Sequence, residues 1–363
     1  VFFIGFYDVL TAISRSYLSA ATPIFINEVF LKFYSMSTLL LHWFGYIDFT
    51  TFLQIYLFGY VLKFVILFIL QLSEGRLTFN FSLKDLDLKE FLKFGFYVLV
   101  GGASIMIVTR LDMMMIASLL DLEQVAFYTV AFFIGNAIKI PGKSIVTIST
   151  PLVAKAWEIK DIKEIQTLYT KSSINQLIIG GILFVCIWLN IDDIFSLLPE
   201  KFQGGKWVVF YIGLSQLFSL TAGINGAIIV NSRYYKYDLY TNVILVFITI
   251  ATNYILIPIY GINGAAIATA ISVLLFNLIR LILIEVKMDM QPFSKETVFT
   301  ILVLLGIYLI LNNMHFMLLP LFAIVIKSTL ALLIYILLVI KLNLSEDISG
   351  FVNDLKSRFI KVN

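Results

Sequence analysis

The stretch SIMIVTRLDMMMIASLLD, Ser104–Asp121, places an arginine and an aspartate two positions apart inside an otherwise apolar run. Similar apolar runs recur along the chain, and about 20 residues is the length that a helix needs to cross roughly 30 Å of hydrocarbon. Of the 363 residues, 60% are hydrophobic and 13% are charged, and the mean hydropathy is +0.96. Soluble domains are nearer to half apolar and a quarter charged. The sequence therefore predicts an all-α polytopic membrane protein.

The apolar runs predict about eleven transmembrane helices. In chain order these are Val1–Tyr17, Asn27–Gly45, Phe52–Leu72, Phe91–Leu119, Ala126–Ala154, Ile174–Leu189, Trp207–Val230, Leu239–Ile257, Ile262–Ile284, Val298–Leu311 and Phe316–Ile340. The first run has no initiator methionine and no basic n-region, so we expect that it is not a signal peptide and that the chain lacks its own N-terminus. The single cysteine, Cys186, cannot form a disulfide or a thiolate metal cluster within one chain.

Lysine and arginine concentrate in alternate loops. They are Arg76, Lys84, Lys89, Lys93, Lys155, Lys160, Lys163, Lys171, Arg233, Lys236, Lys287 and Lys295, and in the tail Lys341, Lys356, Arg358 and Lys361. The intervening loops are nearly bare, since the longest of them, Asn190–Lys206, contains only Lys201 and Lys206. Because cytoplasmic loops carry an excess of positive side chains, the pattern predicts that the first set of loops and the C-terminus are cytoplasmic.

Two cytoplasmic segments have helical signals of their own. Asp87 and Glu90 form a capping-box pattern, which predicts a short surface helix leading into the fourth span. In the tail, apolar residues at helical spacing lie opposite Lys356 and Lys361, which is typical of an amphipathic helix on the inner leaflet. A solvated tail fits the same residues.

Arg110 and Asp112 are candidate functional residues, because a charged side chain at membrane depth costs a few kcal/mol to insert. They lie about 200° apart on a helix, so they do not neutralise each other as residues four positions apart do. At least one of them needs a partner elsewhere. Both also fit a position near the outer membrane–water interface, where the charged end of a side chain reaches water and has no further role.

Lys139 and Lys143 are four residues apart on the next span and bracket Pro141 and Gly142. A proline inside a helix removes a backbone hydrogen bond, and transporters tolerate the resulting kink where the freed carbonyl meets a cavity. The two lysines are therefore candidate binding residues. The alternatives are that Lys143 reaches the inner head groups and that the kink serves packing alone.

The remaining ionisable residues have simpler interpretations. Lys327 lies near the middle of its span and fits a structural pair, and Asp192 and Asp193 are expected to be solvated in an outer loop. Those near span ends are interpreted as interface anchors: Arg15, Glu28, Lys32 and Lys63. The sequence has no phosphate-binding loop, no HExxH and no cluster of cysteine and histidine, so we expect no catalytic residue, no metal site and no cofactor.

Small residues line one face of a late span. In YGINGAAIATAIS, Gly264, Ala268 and Ser272 share a helical face, and Ala266 and Ala270 share another. Such faces let two membrane helices approach closely. The sequence therefore predicts tight helix packing at this span.

Three stretches resemble a known family. They are TRLDMMMIASLLDLEQVAFYTVAFFIGNAIKIPGKSIVTISTPLVAKAW, IPIYGINGAAIATAIS and LIRLILIEVKM. They are similar to the second half of the oligosaccharide-lipid flippases of the MOP exporter superfamily, the O-antigen or polysaccharide-biosynthesis type. In that family an aspartate-bearing segment is followed by a helix that has a tyrosine near its start and a proline near its inner end. The corresponding residues here are Tyr128 and Pro151. SRSYLSAATPIF, near the start of the chain, fits the inner end of a fourth helix of the same family.

The resemblance implies a two-lobe flippase architecture with an incomplete first lobe, because about the first three spans of the family are not represented. It assigns residues 1–72 to a three-span remnant of the N-terminal lobe and 73–90 to a cytoplasmic linker. It assigns 91–286 to a complete C-terminal six-helix lobe, 295–340 to two additional spans and 341–363 to the cytoplasmic amphipathic tail.

The resemblance implies that the protein flips an undecaprenyl-pyrophosphate-linked oligosaccharide to the outer leaflet for surface polysaccharide or lipopolysaccharide assembly. Arg110, Lys139 and Lys143 would bind the pyrophosphate, and Asp112 would compete for these cations or bind the coupling proton or sodium ion. The expected location is the bacterial cytoplasmic (inner) membrane. The expected partners are the lipid-linked oligosaccharide, membrane lipids and other polysaccharide-assembly proteins, with no nucleic acid.

Three alternatives stay open. A cation-coupled multidrug exporter of the same superfamily would bind lipophilic cations, which a cavity rich in arginine and lysine disfavours. A membrane polysaccharide polymerase would carry a sizeable extracytoplasmic loop, which the sequence lacks. A scaffold without transport activity is the third, because a fold does not determine function.

Overall fold

A computed structural model describes residues 2–17, 19, 21–77, 110–314, 319–348 and 350, and no strand occurs among them. The main helices are α1 (Phe2–Ser16), α2 (Thr22–Trp43), α3 (Phe49–Ser73), α4 (residues 110–119), α5 (Leu122–Glu158), α6 (Ile162–Leu189), α7 (Ile191–Ser196), α8 (Lys206–Thr221), α9 (Asn225–Asn231), α10 (Lys236–Met288), α11 (Lys295–Asn312) and α12 (Pro320–Lys341). The predicted all-α fold class is confirmed.

Seven of the described helices are long and apolar enough to cross a membrane, and α8 with α9 make an eighth if this pair, bent by 48°, is one broken span. Helix α10 contains two of the predicted spans. The fourth predicted span lies outside the described residues except for α4, and so do the predicted capping box at Asp87 and the tail beyond residue 350. The polytopic helical architecture is therefore confirmed, and the count of eleven is confirmed in part.

The chain forms two compact units, Val1–Phe94 and Gly95–Asn363. In the first unit, α1 and α2 both pack on α3. Lys63 is 4% exposed, and its Nζ donates to Asn27 Oδ1 at 2.9 Å and lies 4.3 Å from the ring centroid of Tyr7. The interpretation of Lys63 as an interface anchor is therefore wrong, because its ammonium is held inside the unit.

In the second unit, apolar side chains from α4, α5, α8 and α10 form a continuous core. Its fully buried members include Ile116, Tyr128, Ile212 and Ala265, one from each of these four helices. A second core joins α6 to α11 and α12. Lipid tails are as apolar as these side chains, so close van der Waals packing between the helices, and not exclusion of water, holds the bundle together.

Helix α10 is a hairpin of two arms, residues 236–260 and 262–288. Gly261 has φ 59° and ψ −137°, a conformation that glycine adopts without steric cost. The arms are antiparallel, because Thr252 Oγ1 lies 3.2 Å from Ser272 Oγ and Arg280 Nε lies 3.3 Å from Thr241 Oγ1. The two predicted spans Leu239–Ile257 and Ile262–Ile284 are these arms.

The arms touch at the predicted face of small residues. A Cβ atom added at Gly264 would lie 2.0 Å from the carbonyl oxygen of Leu256 on the other arm. Ala268 and Ser272, which follow on the same face, are 0% and 1% exposed. The predicted close approach is confirmed, and it brings polar residues of the two arms within reach of each other.

Candidate functional site

Asp112 lies at the junction of three helices and is 8% exposed. Its Oδ2 accepts hydrogen bonds from Tyr128 Oη at 3.0 Å and from Thr269 Oγ1 at 2.5 Å. Its Oδ1 accepts a hydrogen bond from Asn253 Nδ2 at 2.8 Å. Tyr128 comes from α5, and Asn253 and Thr269 come from the two arms of α10, so one carboxylate connects four helical segments.

Asp112 and its three hydrogen-bond donors lie at nearly equal distances from two turns, one at Asp121 and one at Gly261. Asp112 and Tyr128 are nine and seven residues from the turn at Asp121, and Asn253 and Thr269 are each eight residues from Gly261. At 1.5 Å per residue, both sets lie ~12 Å from these turns. Both turns are expected at the membrane surface, and from there this distance would reach inside a hydrocarbon layer roughly 30 Å thick.

The chemistry of the site suits a small cation or a proton. Within the described residues, Asp112 has three hydrogen-bond donors and no ion-pair partner, although an uncompensated buried charge costs several kcal/mol. Asn253 Oδ1 is a buried oxygen without a hydrogen-bond partner among the residues that the structure describes. The Asp112 carboxylate and the hydroxyl oxygens of Tyr128 and Thr269 are hard oxygen donors of the kind that coordinate hard cations.

Arg110, two residues from Asp112, is exposed, and its Nη1 lies 3.6 Å from Met113 Sδ. Two positions apart on one helix, the side chains of Arg110 and Asp112 are expected to point about 200° apart, and no ion pair joins them. Arg110 therefore does not neutralise Asp112 in the described part of the chain.

Lys139 and Lys143 lie where α5 changes its geometry. Residues Ala137–Lys139 form a 3₁₀ turn, and an α-helix resumes at Ile140, directly before Pro141. Both lysine side chains are exposed. None of the candidate cations on α4 and α5 forms an ion pair with a described carboxylate. The two lysines are available to an anionic ligand.

Gly142 allows close packing at this 3₁₀ turn. A Cβ atom there would lie 2.4 Å from Leu220 Cδ2 and 3.1 Å from Gln176 Oε1. Gln176 is 3% exposed, and its Nε2 is buried without a partner among the described residues. The turn that carries Lys139 is thus held against α6 and α8 on its buried side.

Sequence reasoning missed Asn253 and Thr269, whose equal spacing from Gly261 was the available signal. It also missed the ion pair between Arg280 and Asp238, although Arg280 stands alone in an apolar run.

The structure corrects the prediction for one outer carboxylate. Asp193 is paired and only partly solvated, because its Oδ2 lies 2.8 Å from Lys327 Nζ, with side-chain exposures of 26% for Asp193 and 16% for Lys327. Asp192 remains 82% exposed and pairs with Lys206 at 2.6 Å.

Comparisons with known proteins agree with this architecture. Residues 21–157 match the polysaccharide biosynthesis protein family, and residues 98–255 match the MatE family. The described fold is similar to that of the lipid II flippase MurJ in its inward closed conformation, with a TM-score of 0.73 and 16% sequence identity. The alignment covers 94% of this chain and 71% of the MurJ chain. The two family matches and the MurJ-like fold together support the predicted resemblance to the MOP exporter superfamily.

The likeness to MurJ shows the fold and leaves the substrate to be argued from the site. No curated protein matches the chain. The predicted multi-pass membrane character is confirmed by the long apolar helices. The predicted lobe boundaries and the assignment of two additional spans stay predictions.

Proposed function

We propose that the protein is a transporter that moves an undecaprenyl-pyrophosphate-linked oligosaccharide from the cytoplasmic to the outer leaflet by alternating access. The match to polysaccharide biosynthesis proteins and the MurJ-like fold support this substrate class. The proposed location is the bacterial cytoplasmic membrane, with the C-terminus in the cytoplasm. Other polysaccharide-assembly proteins would supply and use the glycan.

The observation that carries the transport proposal is the buried carboxylate of Asp112, which lacks an ion-pair partner among the described residues. We propose that it binds the coupling ion, a proton or a sodium ion. Either cation would remove the uncompensated charge and hold α4, α5 and the α10 hairpin together. A ligand shifts a conformational equilibrium only by its differential affinity for the two states. A site built from several helices has that property, because moving any one helix changes the number of oxygen ligands.

Arg110, Lys139 and Lys143 are proposed to bind the pyrophosphate. They stand on α4 and α5, the two helices that also contribute Asp112 and Tyr128. Charge-assisted hydrogen bonds to phosphate oxygens are roughly twice as strong as neutral ones, and a low-dielectric setting strengthens them further. Binding of the ion and binding of the pyrophosphate would then be coupled, because both ligands contact α4 and α5 and both change which positions of these helices are favoured.

The experiment uses a host strain from which the full-length gene is deleted. We expect lipid-linked glycan to accumulate on the cytoplasmic side, with loss of the matching surface polysaccharide. Wild-type protein should restore export, and Arg110→Ala or Lys139→Ala should not, at unchanged expression. Lys163→Ala is the matched control, because Lys163 is an exposed lysine at the start of α6. Normal export by the Arg110 and Lys139 variants would refute their assignment.

The match of residues 98–255 to the MatE family favours one second candidate, a cation-coupled multidrug exporter. In that case the deletion strain would show no trapped glycan and would instead become sensitive to cationic dyes. Asp112 would then be the residue required for resistance, and the three cationic residues would not be.

A further inference from the structure

A buried ion pair lies at the end of the α10 hairpin opposite to Gly261. Arg280 on the second arm donates to the carboxylate of Asp238 on the first arm, and its Nε donates to Thr241 Oγ1 at 3.3 Å. Arg280 is 7% exposed, and its guanidinium lies 4.1 Å from the ring centroid of Phe276. The proposed transport function does not use this pair.

The guanidinium holds the first arm at two points. Asp238 and Thr241 are three residues apart, so their side chains lie on one face of that arm. The planar guanidinium of Arg280 contacts both side chains, so it restricts both the shift of one arm along its axis and its rotation relative to the other arm. An ammonium group has no such fixed fork, and a lysine at this position would not reproduce the restraint.

The rest of the interface between the arms provides little such restraint. Gly264, Ala268 and Ser272 bring the arms close, and of these three residues Ser272 alone adds a polar contact across the arms, at 3.2 Å from Thr252 Oγ1. A slip of one residue moves a helix by about 1.5 Å and turns its side chains by about 100°. That displacement would remove Asn253 and Thr269 from hydrogen-bond range of Asp112, since such bonds need donor–acceptor distances of roughly 2.7–3.2 Å.

Arg280 also packs against α9, the second helix of the bent pair α8 and α9. A Cβ atom at Gly226 on α9 would lie 3.0 Å from Arg280 Nη1. Beside it, Asn225 Nδ2 donates to Asn277 Oδ1 at 3.0 Å. The ion pair is therefore fixed to a third helical segment as well as to both arms.

We propose that Arg280 and Asp238 are positioning residues for the cation site at Asp112. They hold the register of the hairpin so that Asn253 and Thr269 face the carboxylate, ~16 Å away along the second arm. The inference rests on the proposed cation binding at Asp112. A positioning role differs from a purely structural one in its consequence. Loss of the pair between Arg280 and Asp238 should disturb the site at Asp112 more than loss of a comparable ion pair elsewhere does.

The first measurement reads the register directly. Thr252→Cys and Ser272→Cys, in a Cys186→Ser background, place two thiols across the arms where the hydroxyl oxygens are 3.2 Å apart. In the purified full chain, oxidation should give rapid disulfide formation, and adding Arg280→Met should slow it severalfold. Arg280→Lys should behave like Arg280→Met, and the exchange of Asp238→Arg with Arg280→Asp should restore part of the rate. An unchanged rate in Arg280→Met would overturn the proposal.

The second measurement reads the cation site. The melting temperature is followed against sodium chloride, with choline chloride keeping the ionic strength constant, and against pH in choline chloride alone. Tyr128 is the described titratable group in contact with Asp112. Arg280→Met should raise the half-maximal sodium concentration, or shift the equivalent proton concentration, by about tenfold or more. A wild-type protein that responds to neither cation would refute the proposed role of Asp112, whatever the cross-linking shows.

The pair between Lys327 and Asp193 provides the matched control. It also pairs a basic side chain with an aspartate, and it joins α7 to α12 and has no member on α10. Lys327→Met and Asp193→Asn should lower the melting temperature and leave both the cross-linking rate and the cation midpoint unchanged. An equal shift in these control variants would show general destabilisation and would overturn the positioning role.

Discussion

Asp112 Oδ1 accepts a hydrogen bond from Asn253 Nδ2 at 2.8 Å, although the two residues are 141 positions apart in the chain. The other oxygen of the same carboxylate binds Tyr128 and Thr269. A single charge thus connects α4, α5 and both arms of the α10 hairpin. Any substitution that changes this charge or its donors is expected to change how the four segments associate.

Replacing Asp112 by asparagine should separate activity from stability. The amide has nearly the same shape as the carboxylate, and it removes an uncompensated buried charge that costs several kcal/mol. We expect a melting temperature equal to or above that of the wild type when neither sodium nor low pH is supplied, together with loss of export. Export assays and thermal denaturation of the same preparations check both parts. A stable variant that exports normally would contradict the coupling role.

Tyr128→Phe should weaken the protein through one hydrogen bond. The hydroxyl donates to a carboxylate, and hydrogen bonds to charged groups contribute about 1.5–3 kcal/mol. We expect the free energy of unfolding in detergent to fall by a similar amount. The control is Tyr335→Phe, since the hydroxyl of Tyr335 is buried and has no partner among the described residues. That substitution should be neutral or stabilising, and an equal loss for both variants would contradict the assignment.

Gly264→Ala should push the two arms of α10 apart. The new Cβ would lie 2.0 Å from the carbonyl oxygen of Leu256, a backbone atom that cannot rotate away. We expect a loss of about 2 kcal/mol or more in the free energy of unfolding. Gly306→Ala in α11 is the control, because nothing lies within 4 Å of its Cβ position. Alanine there should raise stability by roughly 0.5–1 kcal/mol through helix propensity.

The two outer ion pairs should differ in strength. Lys327 and Asp193 are 16% and 26% exposed, whereas Lys206 and Asp192 are 32% and 82% exposed. A double-mutant cycle on the first pair should give a coupling energy above about 1 kcal/mol, because breaking a buried pair leaves an uncompensated charge. The same cycle on the second pair should stay below about 1 kcal/mol, as exposed pairs do. Equal coupling energies would show that burial does not govern these pairs.

Much of the fold could be predicted from local features of the sequence. The length of apolar runs identified membrane helices, because a helix must cover a hydrocarbon layer of known thickness. The break between the predicted spans Leu239–Ile257 and Ile262–Ile284 located the α10 turn. The small residues from Gly264 predicted close packing, because steric limits act on a few neighbouring residues. Asp112 was recognisable as a charge at membrane depth that needed a partner.

The partners themselves were decided by the tertiary structure. Asn253 and Thr269 are ordinary polar residues in their own helices, and they meet Asp112 only because of how the helices rotate and pack. The same reason accounts for the two corrected interpretations, since Lys63 and Asp193 were placed by their distance along a span and not by what faces them. A sequence pattern determines which face of a helix is apolar. The register and rotation of one helix against another arise from contacts between residues far apart in the chain.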